Sequence, residues 1–201
     1  LVVEGPPAAV PSIHGDVYQA WWSIDAWLRL TDTNEVIYLE GAEDFDIVKS
    51  DAATTVQVKH DTDTISLGTA KARQALENFW TLSCKEIHRK IDFHFLTTSS
   101  VAREQDGDFG GAKGIELWVA AQTSPDLAIK IAEYLVKRLD ASRPLQMFLS
   151  SAKPQEIQER LIKRFHWCTN QPDLDAVKRS VDDHITVLLN DQRHSLALIP
   201  N

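Results

Sequence analysis

The sequence predicts an α/β protein, a mixed sheet flanked by helices with a helical subdomain at its C-terminal end. Three observations carry this expectation. Short runs rich in β-branched and aromatic residues, Glu35 to Glu40, Phe45 to Val48 and Thr54 to His60, are bounded by turn-like residues and read as strands. Segments with apolar residues three and four apart, Asp16 to Leu30 and Ala70 to Lys85, read as helices. The second helix leads into another strand-like run, Ile91 to Ser99, and a helix between two strands is the crossover that parallel neighbours require.

Taken in order, Leu1 to Ile13 holds Pro6, Pro7 and Pro11 among small residues and is expected to be an extended lead-in, residues 1–14, without helix. In the first helix, Val17, Ala20, Trp21, Ile24, Trp27 and Leu28 form the apolar stripe, with Asp16 near the cap. Tyr18 and Gln19 fall off that stripe. Trp21, Trp22 and Trp27 read as core more readily than as a base-stacking platform. Val36 to Leu39 is continuously apolar, as in a strand covered on both faces.

The next two strands are expected to pair as a hairpin through the turn Lys49-Ser50-Asp51. Side chains alternate along a strand, so Thr55, Gln57 and Lys59 share one face and Val56 and Val58 the other. By the same alternation Asp44 and Asp46 share a face, opposite Phe45 and Ile47. If the polar faces coincide, two carboxylates, an amide and an ammonium converge, with Glu40 and Glu43 nearby in sequence. Mg²⁺, or Mn²⁺ in its place, takes oxygen ligands and is commonly held by one or two carboxylates together with a substrate phosphate. A lysine beside it can orient the attacking water and offset transition-state charge. The chemistry that needs this set is phosphodiester hydrolysis.

An acidic residue, a hairpin and then Gln57-Val58-Lys59 resembles the PD-(D/E)xK restriction-endonuclease-like superfamily in its QxK form, as in Mrr-like nucleases. Gly15-Asp16-Val17-Tyr18-Gln19, Tyr38-Leu39-Glu40, Glu43-Asp44-Phe45-Asp46, Gln57-Val58-Lys59-His60 and Asn78-Phe79-Trp80 are similar to N-terminal nuclease domains of bacterial anti-phage effectors. These are the double-stranded-DNA nucleases associated with CBASS signalling and those fused to STAND NTPases of the Avs type. The resemblance covers roughly the first half of the chain. It implies a restriction-endonuclease-like nuclease core over residues 15–121 that cuts DNA with Mg²⁺. Asp44, Asp46, Gln57 and Lys59 would be catalytic, and Glu40, Asp44, Asp46 and Gln57 would hold the metal, Asp44 leading. Gln57 stands where the parent motif has an acid, which removes a charge from the metal site. Tyr18 and Gln19 either bind substrate, with Gln19 reaching a phosphate or metal-bound water, or simply close the helix onto the sheet.

Other combinations carry less. His60-Asp61-Thr62-Asp63 reads as a turn. Cys84 and His88 lack the further ligands of a zinc site, and Phe109 to Gly114 lacks P-loop spacing. Residues 122–201 read as helices over Pro125 to Leu139, Pro154 to Trp167 and Asp173 to Asn190, with Leu145 to Leu149 a short buried strand or helix turn. They are expected to form a helical subdomain leading into a downstream region, or into contacts within a homo-oligomer or a larger fused sensor.

The net charge of -8 is unusual for a nucleic-acid enzyme, so DNA contact would rest either on a local basic face built from Lys71, Arg73, Lys85, Arg89, Lys90, Arg103 and Lys113, or on oligomerisation or a further part of a longer chain. No run reaches the ~18 apolar residues of a membrane span, and neither signal-peptide pattern nor disulfide framework is present, so a reducing cytoplasm and no membrane partner are expected. A nuclease-like fold that binds DNA or protein without cutting, or an oligomerisation module, are the alternatives.

Overall fold

The computed structural model describes residues 9–105 and 107–197. Five strands form one mixed sheet in the order β1 (Val36–Leu39), β2 (Phe45–Lys49), β3 (Ala52–Lys59), β4 (Lys90–Thr97) and β5 (Phe165–Cys168). The first three make an antiparallel meander, while β4 runs parallel to β3 and β5 parallel to β4. Helix α2 (Ala70–Lys85) is the crossover between β3 and β4, capped by the Thr69 hydroxyl, which accepts from the Ala72 N–H.

The sheet separates two cores. On one side lie α1 (Ala9–Leu28) and α7 (Leu174–Ala197), whose Tyr18 and Val177 bury with Phe45, Val56, Val58 and Leu96. On the other, α2 packs Leu76 and Phe79 onto Phe93 and Phe95. The same core continues through α3 (Gly114–Ala121), α4 (Pro125–Val136), α5 (Pro144–Ser151) and α6 (Pro154–Ile157). Among the described residues no helix is long and apolar enough to cross a membrane.

Several expectations change. The first helix begins at Ala9 rather than after residue 14. Pro11 lies in its first turn, where a missing N–H breaks no intrahelical bond. Residues 1–8 of the expected lead-in and 198–201 lie outside the described residues. The apolar stripe assigned to this helix faces outward: Val17, Ile24 and Trp27 are exposed, Trp27 by 59%. Tyr18 and Asp25 are buried instead, with Trp22 partly covered between them. Apolar residues lie almost all round this helix, so α7 and the sheet select the face. Asp25 is tolerated there because Arg29 donates to both its oxygens and the Ser180 hydroxyl donates to Oδ1.

Nor is β1 covered on both faces. It is the edge of the sheet, with Val36, Tyr38 and Leu39 49%, 55% and 65% exposed. The helix expected from Pro154 to Trp167 stops after a π-helical turn at Gln158–Ile162, and Phe165–Cys168 forms β5. Aromatic pairing across the parallel ladder explains the switch: Phe165 stacks on Phe93 at 5.1 Å and Trp167 meets Phe95 at 5.5 Å. The segment 122–201 therefore supplies a strand of the sheet and shares its core. Leu145 to Leu149 falls within α5.

The β4–β5 pairing also brings His94 against His166, ring centroids 4.7 Å apart. Burial first, and repulsion from His166 second, push the His94 pKa down to about 4. An unfolded histidine titrates near 6.5, so the unfolded chain takes up this proton earlier as pH falls. Stability from this site is complete above about pH 6.5 and is lost toward pH 4, by up to ~3 kcal/mol at ~1.4 kcal/mol per pKa unit. Urea unfolding at pH 7 and pH 4.5 is expected to show a smaller acid loss in His94→Gln than in the wild type. Equal losses would place the acid sensitivity elsewhere.

Candidate functional site

The β2–β3 register pairs Phe45 with Val56 and Asp46 with Thr55, so the polar faces of the hairpin coincide. Continued by one residue, the register sets Asp44 opposite Gln57, two positions from Lys59. Asp44 Oδ2 accepts the Val58 N–H at 2.5 Å, clasping the strand between Gln57 and Lys59, and its other oxygen carries no hydrogen bond. The Asp44 carbonyl accepts the Glu40 N–H at 3.0 Å and the Gln19 side-chain amide at 3.3 Å, which ties α1 to the hairpin.

The structure adds a carboxylate and an amide. Glu43 Oε2 accepts from Gln57 Nε2 at 2.7 Å, and Oε1 accepts from Asn78 Nδ2 of α2 at 2.9 Å. Asn78 in turn accepts from Gln74 Nε2 one helical turn earlier. Burial pushes the Glu43 carboxyl above its ordinary pKa. The Asn78 hydrogen bond opposes this, the Asp44 charge reinforces it, and Lys59 and the Gln57 hydrogen bond pull the other way. Because the Gln57 NH₂ is spent on Glu43, its carbonyl oxygen is left for another partner.

Lys59, at the end of β3, is half-buried, and its side chain makes no ion pair or hydrogen bond among the described residues. With Gln57 it borders a cleft whose other wall is the start of α2, Lys71 and Gln74. Lys71 is held by Asp61 at 2.7 Å, so the His60–Asp63 segment is a turn that tethers the helix.

Two expected ligands lie apart from this cluster. Asp46 turns its Oδ2 to the Ala42 N–H at 2.9 Å, while Oδ1 is buried and unpartnered beside a cavity bordered by Glu86 and Arg89. Gly41 permits that approach, since a Cβ there would collide with the Asp46 carboxylate. Glu40, at φ 51°, is exposed and sits on the α1 side of the hairpin, beside Gln19 and Asp44. Among the described residues no group of three or more His, Cys, Asp or Glu side chains is placed to hold a metal ion. The oxygen donors that do gather are Glu43, Asp44 and the Gln57 amide. That donor set suits a hard divalent ion, which commonly takes only one or two protein carboxylates.

Tyr18 is fully buried, donates its hydroxyl to the Pro172 carbonyl at 2.7 Å and packs on the His60 ring at 4.8 Å. This closes the helix onto the sheet and leaves no surface for a substrate. Trp21 and Trp22 pack against the core on this side. Of the basic residues assigned to a DNA face, Lys113 pairs with Glu116 and Arg73 donates to the Gly68 carbonyl, while Lys71 borders the cleft.

Glu43 was legible only as one acid among several, because its partner Asn78 is distant in sequence. The signal available was polar spacing on α2, where Lys71, Gln74 and Asn78 recur at three and four. No protein-family model and no curated protein matches this chain.

Proposed function

We propose that the chain is a metal-dependent DNA endonuclease domain with its site on the β2–β3 hairpin. The observation that carries this reading is the convergence on one strand pair of Asp44, Gln57 and an unpaired Lys59, with the Asp44 carboxylate tied to the intervening Val58 N–H. Glu43, Asp44 and the Gln57 carbonyl are the groups that would hold Mg²⁺ or Mn²⁺. Such an ion, when bound, polarises the scissile phosphate and lowers the pKa of its water. Asn78 and Gln57 orient Glu43 and offset part of the cost of its burial. Lys59, with no carboxylate to neutralise it, holds the attacking water and offsets charge growing on the phosphoryl oxygens. Gln19 steadies the Asp44 backbone through the helix that flanks the site.

A restriction-endonuclease-like fold, double-stranded DNA as substrate, products with a 5′-phosphate and 3′-hydroxyl, and a cytoplasmic anti-phage role within an oligomer or larger sensor follow from the resemblance. They form part of this proposal. Supercoiled plasmid incubated with the protein is expected to be cut in Mg²⁺ and left intact in EDTA. Cutting that persists in EDTA would remove the metal from the mechanism. One observation favours the non-cutting alternative: both Glu43 oxygens already have hydrogen-bond donors. That alternative predicts DNA binding without strand breaks in any divalent ion.

A further inference from the structure

An open groove of about 770 Å³ runs between α1 and the edge strand β1. Its floor is apolar, formed by Ile24 and Trp27 of the helix and Ile37 and Leu39 of the strand, and Asp16 and Glu40 contribute carboxylates to its lining. Among the described residues, the outer edge of β1 has no strand beside it. Natural edges are usually blunted by charge or proline, yet within Val36–Leu39 every residue is apolar or aromatic. Ile24 and Trp27, which help line the groove, belong to neither core and are exposed.

We infer that this groove receives an extended basic peptide, which adds to β1 as a sixth strand. The side chains on its groove-facing side are apolar in the middle, entering between Ile24, Trp27 and Leu39, with a Lys or Arg at the end that meets Asp16 and Glu40. Strand addition satisfies the free backbone edge, and side chains two apart on the added strand face the groove together. Charge selects this occupant over others. A second copy carries a net charge of -8, and antiparallel self-pairing of β1 would set Glu35 of one copy against Glu40 of the other. A nucleic-acid backbone would face the same carboxylates. The groove ends at Gln19 and Asp44, so its occupant lies next to the candidate site. The inference does not depend on that site being a nuclease.

The test uses two fluorescein-labelled nonapeptides, KTITVTITK and its counterpart ETITVTITE, whose odd positions all face one side, titrated by anisotropy into the whole chain. The lysine peptide is expected to bind saturably and the glutamate peptide not at all. Leu39→Ser and Trp27→Ser, at exposed positions and without change of charge, are each expected to weaken binding by about tenfold or more. N-methylation of alternate amides along one edge of the lysine peptide should abolish it. Unchanged affinity in both serine variants would reduce the binding to bulk charge attraction and overturn the inference. Self-association in sedimentation velocity that Leu39→Ser abolishes would assign the groove to a second copy, also against it. Displacement of the peptide by an oligonucleotide from the wild type but not from Trp27→Ser would assign it to nucleic acid, with the same consequence.

Discussion

Lys59→Ala is expected to lower plasmid cleavage by roughly 10²- to 10⁴-fold while leaving the fold and divalent-ion binding in place. The size follows from what Lys59 lacks. A surface lysine normally finds a carboxylate or swings into water. This one is half-buried at the end of a fully paired strand, with no ion-pair partner among the described residues. Its charge reaches Glu43, and its neighbours along the cleft are Gln57, Lys71 and Gln74. In the proposed mechanism, loss of the ammonium would remove the group that positions water and balances phosphoryl charge, while no side-chain hydrogen bond among the described residues is lost with it. Lys59→Arg should rescue poorly, because a planar guanidinium does not reproduce a compact point charge. Cleavage by Lys59→Ala at the wild-type rate would move the chemistry off this hairpin.

Phe79→Ala is expected to cost about 3–5 kcal/mol, read as a lower urea midpoint at unchanged slope. Phe79 is fully buried at the centre of α2 and meets Phe93 at 5.9 Å and Phe165 at 5.8 Å, both edge-on. It thus joins the crossover helix to β4 and β5 together, and the gap left by its ring borders stacked aromatics with little freedom to collapse. Against a typical total of ~5–15 kcal/mol, this is a large fraction. A loss near 1 kcal/mol would mean that the space is refilled by neighbours.

These two residues also mark what the sequence made legible. Phe79 belongs to a helix whose limits, Ala70 to Lys85, follow directly from its periodicity, and the hairpin register follows from alternation with one buried face. The coincidence of the Asp46 and Thr55 faces was readable for the same reason. What periodicity could not supply was choice among equals. In α1 either face is apolar enough to bury, and the sheet together with α7, distant in sequence, selects Tyr18 over Val17. In Phe165–Cys168 the deciding contacts are with Phe93 and Phe95 on another strand. At the site, Asp46 shares the polar face but is drawn to the Ala42 N–H by a local turn at Gly41, while Glu43, outside the ladder, is reached by Asn78 from α2. Alternation fixes the side of a strand and not the direction of a flexible carboxylate at its end.

A divalent-ion site formed by Glu43, Asp44 and Gln57, as proposed, is read without any cleavage step by calorimetric titration of Mn²⁺ into the wild type and Asp44→Asn. One site is expected in the wild type, with proton release on binding that grows as the pH is lowered toward the raised pKa of Glu43. That site should be lost in Asp44→Asn. Equal Mn²⁺ binding by both proteins, or none by the wild type, would contradict the assignment.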